Sequence, residues 1–567
     1  MDRAPGPGPR TGSRTGSRTG TPLAALAGRL RDSQSSVPST LAGMLRSLLS
    51  PLKLAVLTAA VMIGMHGPAG AASSLPWTPS WEARHHLQLL VDAGVVRLTT
   101  THWPLPSAAV AQALTSAKPA TDPALAASLQ FVKDELARSR TQGRASVQLR
   151  HASEALTGFG ESYTPGSSLA LTSAEHAAGP LAWRLGARLE QNANSLQTQF
   201  SGVGTNGRWQ IRLEESALVL GLSDPWTGGS TEGQWNAQLF SQRFWWGPGW
   251  QQSMVLGHNA PAFNGIGLQR GITEASSSRW LSWMGPWNID VFVARAQDPI
   301  VVANQPDGFL YSGARLTMQP WPWLEIGFSR GFQAGGTGRP SGVRNFVKAF
   351  FGQEVNQDPD SPFIDSSAQI AGYDFRLRCP HWISALVGPC AAYTQWMGED
   401  AAGSVPLPFK FMSLWGIEST YGQGRYRVVL EYVDTNAYSL PWDNKPTFPG
   451  YVNGVYQQGY TQGGRWLASS IGSGARVFTL GWMDAQARRQ VRVHSGNTVS
   501  GIGAYSPGAD APRGDLIGVQ ASQSFMWQGM TITPEVSWVR LDEGQDQRAN
   551  KRENLRLGVN LAVPMGW

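Results

Sequence analysis

Charged residues, cysteine and long apolar runs are all scarce in this chain of 567 residues. Charged side chains make up 15% of it, against about a quarter in an average soluble protein. The abundant residues are instead glycine (65) and tryptophan (24), and this aromatic, weakly charged composition excludes a disordered chain. Two cysteines exclude a disulfide scaffold and a zinc protein with several Cys ligands. The apolar run Leu54–Met65 has 12 residues, too few for a membrane-spanning helix of about 20.

The net charge of +7 does not indicate nucleic-acid binding, because the cations are concentrated in the first part of the chain. Residues 1–71 hold eight Lys and Arg against two Asp, which leaves residues 72–567 almost neutral. Within that part, Met44 begins a basic segment that leads into the apolar run, and Ala69-Gly70-Ala71 follows as an Ala-x-Ala cleavage site. This order is typical of a secretory signal peptide. We therefore expect residues 44–71 to be a signal peptide cleaved near Ala71/Ala72, and residues 1–43 to be a disordered extension or a misassigned start.

Residues 72–143 are predicted to form a small helical bundle. Thr78 followed by Pro79 is a helix start, and further starts are expected at Ser107 and at Thr121/Asp122. The third helix has one apolar face, formed by Leu125, Leu129, Val132 and Leu136.

Residues 144–567 alternate apolar and polar side chains with a period of two, which indicates strands. In the last segment one face carries Leu555, Leu557, Val559, Leu561, Val563, Met565 and Trp567. A soluble sandwich or propeller of this length should show domain boundaries or blade repeats, and the sequence shows neither. A transmembrane β-barrel turns the apolar face to lipid and the charged face to its lumen, and at roughly 22–25 residues per strand with its loop it would have about 18 antiparallel strands. Lumenal arginines are then expected to pair with carboxylates, among them Arg184, Arg188, Arg212 and Arg376. The alternative is that these arginines attract an acidic polysaccharide by their electrostatic field.

The same region carries a recognisable set of motifs. The most specific is Gln242-Arg243-Phe244-Trp245-Trp246-Gly247-Pro248-Gly249-Trp250, followed by Leu256, His258-Asn259-Ala260-Pro261 and Gln269-Arg270. Further blocks occur in order, namely Trp103-Pro104-Leu105, Leu324–Arg330, Gly372-Tyr373-Asp374, Gly398-Glu399-Asp400, Glu431–Thr435 and Tyr456–Tyr460. From about residue 75 to its end the chain resembles the capsule-assembly Wzi family.

The resemblance implies an 18-stranded outer-membrane barrel with a helical bundle at its periplasmic end. It also implies a lectin-like function, in which the protein attaches or helps to assemble capsular or other extracellular polysaccharide at the cell surface. The chain departs from the family at Ala468–Gly474, where members carry a histidine-containing block. If that block contacts sugar, the resemblance does not identify the ligand of this chain. The alternative function is an outer-membrane diffusion channel or a polysaccharide-export porin. The expected partners are the polysaccharide, outer-membrane lipid and the barrel assembly machinery, which would act on the C-terminal strand ending at Trp567.

Six residues of the motif are candidates for polysaccharide binding: Arg243, Trp245, Trp246, Trp250, Asn259 and Arg270. Aromatic faces stack on sugar rings, and Arg and Asn side chains hydrogen-bond to hydroxyls and carboxylates. The structural alternative is a turn at the barrel rim, with Gly247 and Gly249 at positive φ and the tryptophans in an interfacial girdle.

Evidence for an enzyme is weak. Gly327-Phe328-Ser329-Arg330-Gly331 matches the nucleophile elbow in sequence, but it lies in an alternating strand rather than between a strand and a helix. No two of the nine His are four residues apart, and Asp358, Asp360 and Asp365 lack the spacing of a calcium loop, so neither a metal nor a cofactor is expected. Cys379 and Cys390 flank the turn-like Pro380–Pro389 and are predicted to form a hairpin-closing disulfide outside the cytoplasm.

Overall fold

The computed structural model describes residues 74–150, 156–161, 166–191, 209–222, 234–296, 306–351, 367–402, 405–440, 443–463, 465–499, 513–542 and 551–566. The predicted leader, residues 1–43 and 44–71, lies outside the described residues. So do Trp567 and the three aspartates Asp358, Asp360 and Asp365.

Three helices lie near the start of the described chain and two more lie in loops. They are α1 (Trp81–Asp92), α2 (Ser107–Thr115), α3 (Pro123–Thr141), α4 (Val343–Phe350) and α5 (His381–Val387), with a 3-10 turn at Ser282–Met284. Asp122 caps α3 as expected, but Ser80 rather than Thr78 caps α1 by accepting a hydrogen bond from Ala83 N (3.1 Å). Ser80 is fixed there because its hydroxyl also donates to Glu135 (2.7 Å) on α3.

Most of the remaining described chain is strand. The strands are β1 (Pro76–Trp77), β2 (His102–Trp103), β3 (Leu105–Pro106), β4 (Gly143–Arg150), β5 (Ser168–Thr172), β6 (His176–Ala178), β7 (Leu181–Arg184), β8 (Gly186–Gln191), β9 (Trp209–Leu213), β10 (Ser216–Leu222), β11 (Trp235–Gln242), β12 (Trp245–Trp246), β13 (Phe263–Arg270), β14 (Trp287–Arg295), β15 (Leu310–Trp321), β16 (Leu324–Ala334), β17 (Ser367–Arg378), β18 (Cys390–Ala402), β19 (Val405–Tyr421), β20 (Tyr426–Tyr438), β21 (Phe448–Pro449), β22 (Thr461–Gln462), β23 (Arg465–Trp466), β24 (Arg476–Asp484), β25 (Arg489–Val499), β26 (Arg513–Gln523), β27 (Phe525–Trp527), β28 (Met530–Asp542) and β29 (Lys551–Met565).

The long strands form one antiparallel sheet that closes on itself. Each of its strands pairs with a neighbour in chain order, from β10 and β11 through β13–β20 and β24–β26 to β28 and β29. The register Gly558↔Arg150 to Met565↔Gly143 then joins β29 to β4. From β4 the sheet continues through β5, β8 and β9, while β7 pairs with β10 and so completes the ring. The predicted β-barrel is therefore confirmed as the fold.

Alternate side chains of each wall strand face opposite environments. On β29, Leu555 and Leu557 are 53% and 54% exposed on the outer face, whereas Arg556 between them is 5% exposed. This is the alternation that the sequence predicts, with apolar residues outside and charged residues inside. In the part of the chain that the structure describes, no α-helix has both the length and the hydropathy needed to cross a membrane.

The three N-terminal helices share a hydrophobic core. Val132 and Leu136 on α3 are buried against Leu87 and Leu90 of α1, while Leu125 and Leu129 of the predicted apolar face pack at its edge. The core also includes Trp103 and, from the barrel, Trp245. We call residues 74–142 the head, and the head therefore packs against side chains inside the barrel.

The hairpin between β17 and β18 is more structured than the sequence indicates. The segment expected to be a turn contains α5, whose Trp382 and Leu386 are exposed. Cys379 and Cys390 at its base form a disulfide with a Cα–Cα distance of 5.3 Å.

Candidate functional site

The motif with the paired tryptophans forms a loop inside the barrel. We call Arg243–Ala262, the connection between β11 and β13, the Trp loop. Its β12 pairs with β2 of the head, in the register Trp245↔Trp103 and Trp246↔His102. The amide of Gly247 also donates to Thr101 O (2.9 Å). The loop therefore meets the head in the lumen, rather than forming a turn at the rim.

The tryptophans of the loop are fully enclosed. Trp245, Trp246 and Trp250 are 1%, 0% and 1% exposed. The Trp246 ring packs edge-on against Phe244 and Phe292, with centroid distances of 5.5 and 5.7 Å. In this conformation the three indoles contact protein rather than solvent, and they do not lie in an interfacial girdle.

The two glycines of the motif serve different purposes. Gly247 has φ +151, whereas Gly249 is not at positive φ. A Cβ at Gly249 would lie 2.1 Å from Gln252 O, so this position requires glycine because two stretches of backbone approach closely.

Glu431 on β20 holds the loop by its backbone. Its carboxylate accepts the amides of three consecutive residues, Trp250, Gln251 and Gln252, the last two at 3.1 Å. The hydroxyl of Tyr393 donates to the same carboxylate (2.7 Å). Burial of a carboxylate is costly unless donors surround it, and here the inserted loop supplies most of the donors.

Glu418 on β19 joins the loop, the head and the wall. It accepts from Trp250 Nε1 (2.7 Å) and from Gln88 Nε2 of α1 (2.8 Å). It also pairs with Arg376 (2.7 Å) and with Arg427 of the wall. Arg376 in turn forms an ion pair with Asp92 at the end of α1 (2.8 Å).

Arg84 of α1 clamps the loop from the side of the head. Its guanidinium donates to Pro248 O (2.8 Å) and Gly249 O (2.9 Å) and lies 4.3 Å from the Phe159 ring centroid and 4.2 Å from that of Trp250. Burial lowers the pKa of Arg84 to about 9, although Glu418 opposes this. The guanidinium therefore stays charged at neutral pH.

His85, the next residue, is neutral. Burial and the charge of Arg427 lower its pKa well below the ordinary value. Arg427 Nε donates to its Nδ1 (3.1 Å), which leaves Nε2 to donate to Gly424 O (2.7 Å). The partners thus select one tautomer.

The other candidate residues do not all lie together. Asn259 Nδ2 donates to Trp466 O (3.0 Å), and Arg243 donates to Ala260 O (3.0 Å) and pairs with Glu214. Arg270 is at the opposite end of β13, stacked on Trp287 at 3.8 Å, about 23 Å from the start of that strand at 3.3 Å per residue. The structure therefore brings five of the six candidates to the Trp loop and separates Arg270 from them.

The segment Ala468–Gly474, where the chain departs from the family pattern, packs on the same loop. Ser469 Oγ (2.9 Å) and Ser470 N (2.8 Å) both donate to Gln252 Oε1. Ser469, Ser470 and Ile471 are 0–1% exposed. The segment therefore holds the Trp loop in place.

The predicted lumenal ion pairs form at three of the four arginines. Arg188 pairs with Glu214, Arg212 with Glu190 (2.7 Å), and Arg376 with Asp92 and Glu418. Arg184 donates instead to the backbone oxygens of Glu215 (3.0 Å) and Pro76 (3.1 Å).

The remaining chemical candidates have structural partners. Ser329 lies in the middle of β16, which continues to Ala334, rather than at a turn from a strand into a helix, and Arg315 donates to its hydroxyl. Across the described ranges, no group of three or more His, Cys, Asp or Glu is arranged to hold a metal ion.

Sequence reasoning missed the residues that secure the loop, namely Glu418, Glu431, Arg84, Gln252 and Gln395. Gln395 Nε2 donates to Trp246 O (2.8 Å) and its Oε1 accepts from Met254 N (2.9 Å). Glu431 opens one of the family blocks, so the resemblance held a signal there. The others are polar residues whose contacts that secure the loop join positions more than 100 apart in the chain.

Comparisons with known proteins agree with this architecture. The family described as Capsule assembly protein Wzi matches residues 137–548. An uncharacterized 55.8 kDa protein in the cps region of Klebsiella pneumoniae is 28% identical over 352 residues. That alignment covers 61% of this chain and 62% of the Klebsiella protein.

A solved structure matches more of the chain. It is Wzi of Escherichia coli, described as an outer membrane protein involved in group 1 capsule assembly and a carbohydrate-binding β-barrel. The match has a TM-score of 0.66 and 22% identity and covers 87% of this chain and 100% of the other. Since the family profile spans more than half of its length, this chain belongs to the Wzi family of capsule assembly proteins.

Proposed function

We propose that this protein sits in the outer membrane and holds capsular or other extracellular polysaccharide at the cell surface. Membership of the Wzi family supports this function, as does the description of the Escherichia coli structure as a carbohydrate-binding barrel. The Klebsiella relative from a cps region is consistent with it.

The filled lumen is the observation that favours a binding protein over a conduit. The Trp loop, residues 156–161 and the segment 451–475 all contribute fully buried side chains to one hydrophobic cluster inside the wall. The head closes on this cluster through Arg84 and Gln88. A polymer that passed through such a barrel would have to displace all of these contacts together.

The lengths of the connections support one orientation. At the end of the barrel that carries the head, wall strands are joined by short turns such as Pro322–Trp323, whereas the opposite end has long connections such as residues 335–366. Outer-membrane barrels have short periplasmic turns and long extracellular loops. These lengths support a periplasmic head. The described strands support an eighteen-stranded wall when β5 with β6, β7 with β8, β9 with β10 and β26 with β27 are each counted as one and the two-residue β21 is left out.

Export and assembly complete the proposal. Residues 44–71 act as a signal peptide cleaved near Ala71/Ala72, which leaves residues 72–143 as the periplasmic bundle and residues 144–567 as the barrel. The barrel assembly machinery acts on the C-terminal segment that contains β29 and, beyond the described residues, the aromatic Trp567. The apolar outer face, including Leu555 and Leu557, suits membrane lipid.

Extracellular loops that are held at fixed positions could bind a polysaccharide through many weak contacts. A long polymer with repeated units engages again at high effective concentration after each local release. Five of the candidate residues would act indirectly, by fixing the Trp loop in the lumen and with it the positions of the extracellular loops. They are Arg243, Trp245, Trp246, Trp250 and Asn259. Direct contact of these residues or of Arg270 with sugar stays a prediction, and for the buried indoles it requires the Trp loop to leave the lumen.

The decisive experiment is deletion of the gene followed by assay of cell-bound and released polysaccharide. We expect polysaccharide to move from the cell-bound to the released fraction and the plasmid-borne gene to restore it. Wild-type levels on deleted cells would refute the proposal. Binding of purified protein to a glycan array would identify the sugars.

Planar-bilayer recording tests the alternative function. A barrel with a filled lumen should show no stable open state, whereas a diffusion channel or export porin should conduct. Stable conductance by the wild-type protein would favour the porin.

A further inference from the structure

A short helix packs on the outer face of the barrel wall. Phe332 points outward on β16, as does Phe328, yet Phe332 is 1% exposed because α4 covers it. The rings of Phe346 and Phe350 on α4 lie 5.3 and 6.1 Å from the Phe332 ring. Arg330 Nη2 adds a hydrogen bond to Ala349 O (3.3 Å).

The sides of α4 follow one another in a defined order around the helix axis. One side, with Phe346, Ala349 and Phe350, faces the wall. The next is an apolar row at spacing four, Val343, Val347 and Phe351, which are 81%, 45% and 60% exposed. Beside it lies a basic row at the same spacing, Arg344 and Lys348.

The helix lies at the upper edge of the lipid-facing surface. Along the outer face of β16, Phe328 is apolar and 46% exposed, and the next outward residue toward the loop end is Arg330, which hydrogen-bonds to Gln369 of β17. A cationic side chain on the outer face marks the level where hydrocarbon gives way to headgroups. The next outward residue is Phe332, beneath α4.

We propose that α4 is an interfacial anchor that binds the phosphate groups of phosphorylated glycolipid in the outer leaflet. Val343, Val347 and Phe351 enter the boundary of the acyl chains, and Arg344 and Lys348 contact the phosphates beside them. This inference rests on the orientation given under the proposed function, which places the loop end of the barrel outside the cell.

The charge of the segment around α4, and its position next to the apolar outer surface, favour phosphorylated glycolipid as the ligand. The described segment 335–351 carries Arg339, Arg344 and Lys348 and has no acidic residue. Four acidic residues follow in the chain, Glu354, Asp358, Asp360 and Asp365, and lie outside the described residues. A hydrated polysaccharide would leave the aliphatic side chains of Val343 and Val347 in water, whereas an amphipathic helix with adjacent apolar and basic rows is the usual form of a membrane-surface helix.

The test measures lipid binding by the full-length barrel in neutral detergent. Native mass spectrometry would follow adducts of diphosphorylated lipid A and of its dephosphorylated form. The wild-type protein should retain the phosphorylated lipid preferentially. Because each Lys or Arg near an anionic lipid surface contributes roughly fivefold in affinity, the double variant Arg344→Gln/Lys348→Gln should bind about 30-fold more weakly.

Two further variants separate the contributions of the basic row and of the apolar row to lipid binding. Lys118→Gln/Arg489→Gln removes two exposed charges at the opposite end of the barrel and should bind like the wild type. Val343→Ser/Val347→Ser keeps the basic row and should weaken binding of both lipids. Equal binding of the two lipids by the wild type, or unchanged binding by Arg344→Gln/Lys348→Gln, would overturn the proposal.

Cell-bound polysaccharide, measured on cells that carry the same variants, distinguishes this inference from the proposed function. Cells with Arg344→Gln/Lys348→Gln or Val343→Ser/Val347→Ser should retain a normal amount of polysaccharide, although the variant proteins bind lipid A more weakly. Lipid A binding that persists in a protein that fails to retain polysaccharide would leave the anchor intact and refute the proposed function instead.

Discussion

The inner and outer faces of the wall differ in what each residue can contact, although the same strands supply both. On the inner face, Glu418 is 3% exposed and bonds to residues of the head, the Trp loop and two wall strands. On the outer face, Ile266 is 52% exposed and belongs to the apolar outer surface of the wall. The difference teaches that inner substitutions act through specific partners, whereas outer substitutions act through the surrounding medium.

Loss of a shared inner charge should have the largest effect. Glu418→Gln leaves Arg376 and Arg427 without their common carboxylate, and breaking a buried pair costs about 3–5 kcal/mol. We expect a lower urea midpoint in detergent micelles, followed by tryptophan fluorescence. Glu274→Gln, at an exposed carboxylate, is the matched control and should change the midpoint little. Equal midpoints for the two variants would break the comparison.

Truncation of a tryptophan on each face compares the stability that the inner and outer faces draw from the same residue type. Trp246→Ala empties a site that is 0% exposed and should cost about 3–4 kcal/mol, whereas Trp415→Ala, at 47% exposed, should cost about 1 kcal/mol. Urea unfolding in the same detergent checks the order. A Trp246→Ala protein that is folded and stable but no longer retains polysaccharide would favour direct sugar contact by Trp246. Loss of both stability and polysaccharide retention would favour a positioning role.

A charge on the outer face should matter only in lipid. Ile266→Lys should lower the free energy of unfolding by about 2 kcal/mol in phospholipid vesicles, because a cation there lies in hydrocarbon. Leu440→Lys, in a loop at the opposite end from the head, should have almost no effect. A cost for Leu440→Lys as large as that for Ile266→Lys would show that Ile266 does not face hydrocarbon.

The smallest expected effect is a change of stability with pH that arises from Glu82 in the head. Unlike Glu418, Glu82 has no cation paired closely with it in the described part of the chain. Burial and the neighbouring Glu135 raise the pKa of Glu82 from 4.5 to about 7, against the pull of Arg488. The folded head therefore binds more protons than the unfolded chain between these values, so its stability falls as pH rises from about 4.5 through 7. Hydrogen exchange of α1 should be slower at pH 5 than at pH 8 after correction for the intrinsic rate.

Glu82→Gln should make the corrected protection of α1 less dependent on pH. Glu274→Gln is again the control and should leave the dependence unchanged. Corrected protection that rises with pH in the wild type would contradict the assigned direction.

The wall could be predicted from the sequence because alternation is a local property. The period of two at Leu555–Met565 and at Leu181–Leu189 coincides with strands, and Asp122 and Pro123 identify the start of α3. The position of the Trp loop could not be predicted in this way. It depends on Glu431, which is about 180 positions from the amides it accepts, and on Arg84, about 165 positions away.

Loop helices were also beyond local reasoning. Pro380–Pro389 has proline at both ends, and this favoured a turn, yet α5 fits between them because proline is tolerated next to the first turn of a helix. At α4 the decisive partner is Phe332, which belongs to a different element.

The seam between β29 and β4 constrains how the molecule forms. Gly558 pairs with Arg150, about 400 positions earlier in the chain, so the ring stays open until the strands between them are in place. Contacts of such long range are slow to form, because a large loop must close before they stabilise anything. The open sheet would expose two unpaired edges during this interval, and the chain therefore depends on being shielded from other strands until β29 meets β4.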